Sequence, residues 1–275
     1  MLISILKLLS HIYLNITNIL KIKDQRYSFC QLLTNLYHPQ HSDYHKQLII
    51  SSLLENTLKL FSSYELYKIF TSYSLRLLLY KNGFINIDTI TERSSVDPYD
   101  FVYFINEIKE ENKQFYQYAI SKEKNRKMLK EINQEKHNEL RMKGRNHHQI
   151  AEIIRNDDIE QFQEIISQNN ISLNSRIPYS FYEDCQIISA KSDMPFLIDY
   201  ASFFSSIKIF KFLWINDIKG NLATFNYAIA GGNYEIIHLL ESVHKNIINK
   251  DSQNYAILFH RNDIYSYLQD TYEIE

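Results

Sequence analysis

A chain of 275 residues, 45% hydrophobic and 14% aromatic, has material for two ordinary cores or one elongated stack. A formal net charge of −2 excludes a global field that would favour nucleic acid or an anionic membrane. Five glycines and four prolines are too few for a β-rich fold with many tight turns, or for glycine-lined phosphate loops.

Residues 1–23 are strongly apolar, but Ser4, Lys7, His11, Asn15 and Asn18 recur at helical spacing as a polar stripe. A spanning helix wants about 20 apolar residues with few interruptions. A signal peptide wants a basic start, which Met1-Leu2-Ile3-Ser4 lacks. The stretch reads as an amphipathic core helix, with a membrane anchor or a partner-binding helix as alternatives. Residues 27–36 continue helical until His38-Pro39, because proline disfavours helix in the residue before it. His41 and His45, near His38 and Asp43, have the i, i+4 spacing of helix-borne metal ligands. The four-ligand set is incomplete, so no metal is expected and Ser42 caps the next helix. Cys30 and Cys185 lie far apart and make no disulfide framework, which fits free thiols in a reducing cytosol.

Residues 43–61 and 64–80 read as two helices joined at Ser62-Ser63. Lys81-Asn82-Gly83 ends the second with a capping glycine. Residues 84–90 restart the chain with Asp88 as N-cap. Asp97-Pro98 opens a short helix over 99–108 that bears Phe101, Phe104, Ile105 and Ile108. Residues 122–145 carry nine Lys or Arg against four Glu. Basic helices can track a phosphate backbone, yet the glutamates interleave and no aromatic stacks among them. A solvated helix leading into the next region is predicted. Gly144 breaks the chain, and the adjacent His147 and His148 are expected to have no joint role, since neighbours on a helix point to different faces.

From residue 146 the chain repeats itself. Tyr200-Ala201 and Tyr227-Ala228 each open a short helix, and a shift of 27 residues also places Ile209 on Ile236 and Leu213 on Leu240. Each copy reads as two helices around a tight turn. Gly232 stands where positive φ is needed, and Ser205 is a poorer stop there. Ile207, Phe210 and Leu213, like Tyr234, Ile237 and Leu240, line one face of the second helix. Residues 151–166 are the same hairpin at an offset of 48, and residues 256–268 are another at an offset of 30, with Asn262 at the turn. About four hairpins follow, and one alone cannot bury its own face. The 48-residue offset reflects a long connection at 167–195, rich in Tyr179, Phe181 and Tyr182, which either meets a partner or packs back.

Gly232-Asn233-Tyr234-Glu235-Ile236-Ile237-His238-Leu239-Leu240 resembles the second-helix signature of ankyrin repeats, Gly-His-Leu-Glu-Ile-Val-x-Leu-Leu. Asp199 and Asn226 stand where that family has His in the first helix. The eroded form is similar to a divergent ankyrin family known only as a domain of unknown function and expanded in parasitic protists. The resemblance covers residues 150–268 and extends more loosely over 81–148. It implies an all-α protein: an N-terminal helical region over 1–145, then an ankyrin-like solenoid over 146–275. It also implies that Asp199, Phe203, Asn226 and Ala230 face the concave side, and that Lys191, Asp193 and Asn221 lie in the fingers.

No Walker, dinucleotide, nucleophile-elbow or His-Glu-x-x-His motif occurs. Asp184 and Asp199 have no partner that sequence identifies. The expectation is a cytoplasmic, non-catalytic protein–protein interaction scaffold without cofactor. The alternatives are a membrane-peripheral adaptor using residues 1–23 and a nucleic-acid binder using residues 122–145. An apolar final hairpin also raises self-association through the last repeat.

Overall fold

The structure is a computed structural model that describes residues 58–59, 61–132, 134–190, 192–244 and 248–272. The expectations for residues 1–23 and 27–36, for Cys30, for His38, His41 and His45, and for residues 43–57 lie outside the described residues. Among the described residues there are sixteen α-helices and no strand. The chain divides into two compact units, one of residues 1–145 with Asp184–Gln186, the other of Asn146–Glu183 with Ile187–Glu275.

In the first unit the described helices are α1 (Ser63–Ile69), α2 (Tyr73–Lys81), α3 (Ile87–Val96), α4 (Pro98–Tyr103), α5 (Ile105–Glu111), α6 (Lys113–Ser121), α7 (Glu123–Glu131) and α8 (His137–Lys143). Short polar side chains set most of their starts. Ser62 and Glu65 form a reciprocal capping box on α1. Ser72 takes the Leu75 N–H and so splits the single helix expected over 64–80 into α1 and α2. Asn86, not Asp88, caps α3 by accepting from Thr89 N at 2.9 Å. Asp97 and Pro98 open α4 as expected, but the helix breaks at Phe104, and α5 continues from Ile105. Phe101, Phe104 and Ile108 are fully buried.

The basic stretch does not form one solvated helix. It makes α7 and α8, and part of its charge turns inward. Arg141 is 3% exposed and grips Glu107 with both ends of its guanidinium, at 2.7 and 3.0 Å. The same guanidinium donates to Tyr103 O at 2.8 Å. Buried His137 also faces Tyr103 O, at 3.2 Å. Burial, and next the Arg141 charge, pull the His137 pKa down to about 4. Asp184 closes the start of α2, accepting from Ser72 Oγ at 2.9 Å and Ser74 N at 3.1 Å.

The second unit is a succession of four helical hairpins: α9 (Gln149–Arg155) with α10 (Ile159–Gln168), α11 (Leu197–Phe203) with α12 (Ile207–Ile215), α13 (Leu222–Gly231) with α14 (Tyr234–His244), and α15 (Lys250–Leu258) with α16 (Asn262–Thr271). The first helices pack on one another in the order α9, α11, α13, α15, and α10, α12 and α14 do likewise on the other side. Ala201, Ala228 and Ala256, in register on successive first helices, are all 0% exposed. With no side chain beyond Cβ they let the helices approach closely.

Every hairpin turns on a residue with positive φ: Asp157 (51°), Ser205 (58°), Gly232 (83°) and His260 (54°). Left-handed backbone costs a non-glycine residue about 1 kcal/mol or more. At Asp157 and Ser205 side chains help hold the turn. Asp157 accepts from the N–H groups of Lys208 and Ile209, both at 3.0 Å, and so caps α12 from the preceding hairpin. Ser205 Oγ donates to Gly231 O at 3.0 Å. The last turn lies at His260, two residues before the expected Asn262, which instead begins α16. That register puts Ile264 on Ile236 and Leu268 on Leu240, all fully buried. The buried face of the second helices is Ile209, Phe210 and Leu213 with Ile236, Ile237 and Leu240. Ile207 and Tyr234, expected on that face, sit at the first helical position and stay partly exposed.

Two outcomes follow. A Cβ on Gly232 would stand 2.7 Å from Arg261 Cζ, whose guanidinium caps Ala230 O and Gly231 O at 3.0 and 2.7 Å. Gly232→Ala is expected to destabilise the protein by about 1–2 kcal/mol, from the left-handed backbone alone, with further loss as Arg261 is displaced; thermal unfolding checks it. For His137 the unfolded chain binds more protons between its ordinary pKa and the folded value, so stability rises with pH across that window. Moving from pH 7 to pH 4 is expected to cost about 3 kcal/mol through this group. A His137→Gln variant, compared with the native chain at both pH values, is expected to lose that share of the pH dependence.

Candidate recognition surface

Four of the seven residues expected to meet a partner are internal. Asp199, Phe203, Asn226 and Ala230 are 4%, 1%, 7% and 1% exposed. The polar pair joins neighbouring first helices. Thr224 Oγ1 donates to Asp199 Oδ1 at 2.5 Å, and Ser252 Oγ donates to Asn226 Oδ1 at 2.8 Å. Asp199 also accepts the Phe196 N–H at 2.9 Å at the start of α11. Burial raises the Asp199 pKa, and the Thr224 and Phe196 bonds oppose the rise. Of the finger residues, Asn221 is exposed but spends its side chain on the N–H groups of Ala223 and Thr224, as the N-cap of α13. Asp193 is exposed and pairs with Arg176 at 2.8 Å. Lys191 lies outside the described residues.

The misplaced residues are covered by the following hairpins: Asp199 meets Thr224, Phe203 meets Tyr227 and Phe259, and Asn226 meets Ser252. The long connection between α10 and α11 packs elsewhere on the same unit. Its base is pinned by an isolated bridge between Arg176 and Phe196, with Ile177 N donating to Pro195 O and Leu197 N to Ser175 O. Residues 177–183 then run along the first two hairpins. Asn146 Nδ2 reaches Pro178 O at 2.8 Å, His148 Nε2 stands 3.1 Å from Tyr179 O, and His147 Nδ1 stands 2.8 Å from Ser180 Oγ. The two histidines thus do share a task, gripping one segment. Further along, Tyr227 Oη donates to Ile187 O at 3.2 Å. All seven residues of α11 are buried.

The segment ends in a buried ion pair. Glu183 accepts from Arg155 Nη2, from Asn146 N at 3.1 Å and from Tyr200 Oη at 3.4 Å. Arg155 Nε donates to Tyr200 Oη at 2.8 Å, and its guanidinium lies 3.9 Å over the Phe204 ring. Burial works against the Arg155 charge, but Glu183 and Tyr200 together more than offset it, so the pKa stands above its ordinary value.

The accessible positions of the first helices include polar residues such as Glu152 and Asn254, the exposed Ile257, and a column of tyrosines. Tyr200, Tyr227 and Tyr255 occupy one register at intervals of 27 and 28 residues. Tyr200 is covered, whereas Tyr227 and Tyr255 are half-buried. Their rings meet edge to face, 6.4 Å apart at 88°, and Phe203 contacts Tyr227 and Phe259 in the same manner. The sequence signal for this column was the coincidence of Tyr200 and Tyr227 in the repeat. Its extension to Tyr255 needed the true register of the last hairpin.

One further polar cluster lies on the second helices of the last two hairpins. Glu241, 5% exposed, faces His238 Nδ1 at 2.8 Å and accepts from Tyr267 Oη at 3.0 Å and Tyr272 Oη at 2.9 Å. Burial, and then the bond to Glu241, push both tyrosine hydroxyls up, so they remain donors. The donors occupy both carboxylate oxygens, and the arrangement ties α16 to α14. Among the described residues no group of three His, Cys, Asp or Glu could hold a metal ion, and no helix is long and apolar enough to cross a membrane.

Residues 215–275, from the end of α12 through the last hairpin, match a family model described as Domain of unknown function (DUF3447). No curated protein matches the chain. No solved structure matches it either.

Proposed function

We propose that this chain is a non-catalytic scaffold, an ankyrin-like solenoid over its second unit, that binds a partner protein through the aromatic face of the first helices and the adjoining finger loops. The observation that carries this reading is the register of Tyr227 and Tyr255, half-buried on successive first helices. Tyrosine gives a rigid apolar body with a polar tip and is enriched in the cores of protein interfaces. Stacked repeats create extended surfaces by which such proteins bind partners. The nucleic-acid alternative loses support, since Arg141 is spent on Glu107, Lys127 on Glu123 and Lys143 on Glu139. The membrane-peripheral alternative rests on residues 1–23, outside the described residues. A reducing cytosol remains the proposed compartment.

The test is crosslinked capture from the source cell with the intact chain and a Tyr227→Ser, Tyr255→Ser variant that keeps its helical circular dichroism. Loss of two interface tyrosines is expected to cut capture about tenfold or more. Equal capture by both would move recognition off this face.

A further inference from the structure

The segment 177–183 is bonded to its own unit in the way a bound peptide is. It forms neither helix nor strand. Its base is fixed by backbone bonds to Pro195 and Phe196; beyond Ile177 it closes a turn on itself, Glu183 N donating to Ser180 O, and takes most of its other bonds from Asn146, His147, His148, Arg155 and Tyr200. Asn146 and His148 reach the main-chain oxygens of Pro178 and Tyr179, which any residue would offer. Ser180 and Glu183 are bonded through their side chains, by His147 and by Arg155 with Tyr200. Tyr182, 2% exposed, packs its ring edge to face on His147, centroids 5.2 Å apart. The seat therefore has a backbone-reading part, an aromatic slot and a carboxylate socket, in that order.

We propose that residues 177–183 are an internal ligand, a strap that occupies a peptide seat on the first two hairpins and yields it to a partner's segment of the same chemistry. That segment has an extended start, a turn, and an aromatic residue directly before a glutamate, as Tyr182, in the turn at residues 181–182, precedes Glu183. Tethering gives the strap a high effective concentration, about millimolar for a short flexible tether, so a partner competes only if its own contacts extend beyond the seat. The half-buried tyrosines of the later hairpins supply such contacts. This last step rests on the recognition reading above; the exchange itself does not, because it is tested with the chain's own sequence.

The experiment uses the full chain and a fluorescent peptide of residues 177–183. In a Tyr182→Ser, Glu183→Ser variant the strap lacks its two anchors, and fluorescence anisotropy is expected to show the peptide binding about tenfold or more tighter than to the native chain. A peptide with Glu183→Gln is expected to lose about tenfold or more in affinity, because the Arg155 socket would be left unpaired. A folded variant that binds the peptide no better than the native chain overturns the proposal. Because the variant leaves Arg155 without its partner, hydrogen exchange on the native chain provides a second reading. Strap amides are expected to exchange by local opening, well before those of α11 and α13. Exchange of the strap only together with those helices would make it a fixed part of the core and overturn the proposal.

Discussion

Neighbouring first helices in the second unit are joined by one repeated bond, from a hydroxyl on one helix to a buried acceptor on the helix before it. Thr224 serves Asp199, and Ser252 serves Asn226. A buried polar group without a partner costs more than its bond contributes. The acceptors therefore dictate how each helix sits on the next: a slip by one position would bury Asp199 or Asn226 with nothing to answer it. The small residues Ala201, Ala228 and Ala256 make that approach close enough. The positive-φ turns then return the second helices so that Ile209, Ile236 and Ile264 fall in one buried column. Register, turn and core are one constraint seen at three levels.

The first hairpin departs from this pattern, and its departure shapes the surface. Arg155 falls where Phe203, Ala230 and Leu258 fall in the later copies, and it requires a counter-charge. Glu183 provides it from the long connection. A buried ion pair is a weak source of stability but costly to break, so the pair fixes where the connection runs more than it strengthens the unit. Among the α11 residues that this pair reaches is Tyr200, which is fully buried, whereas its counterparts Tyr227 and Tyr255 are half-buried.

How much of this was legible follows the same physics. Helical content, the two-helix repeat and the turn at Gly232 could be read because periodicity and glycine act locally. Burial of Asp199 and Phe203 could not, because it depends on Thr224, Tyr227 and Phe259, which only the assembled hairpins bring near. The register of the last hairpin was missed by two residues, since the turn reads as Asn262, although histidine too adopts positive φ. Asn86 displaced Asp88 as a cap because both types serve equally and packing, not composition, chose between them. The basic stretch misled for a related reason: counting charges ignores that Arg141 finds Glu107, 34 positions away. The site residues suffered most, since exposure is a property of the whole stack.

The measurement that tests the account most directly is a double-mutant cycle on the inter-helix bond: Asp199→Ala, Thr224→Val and the pair, compared by denaturant unfolding. If the buried hydroxyl–carboxylate bond sets the stacking, the two losses overlap, with a coupling energy of about 1–2 kcal/mol. Losses that add to within about 0.5 kcal/mol, the behaviour of independent sites, would contradict it.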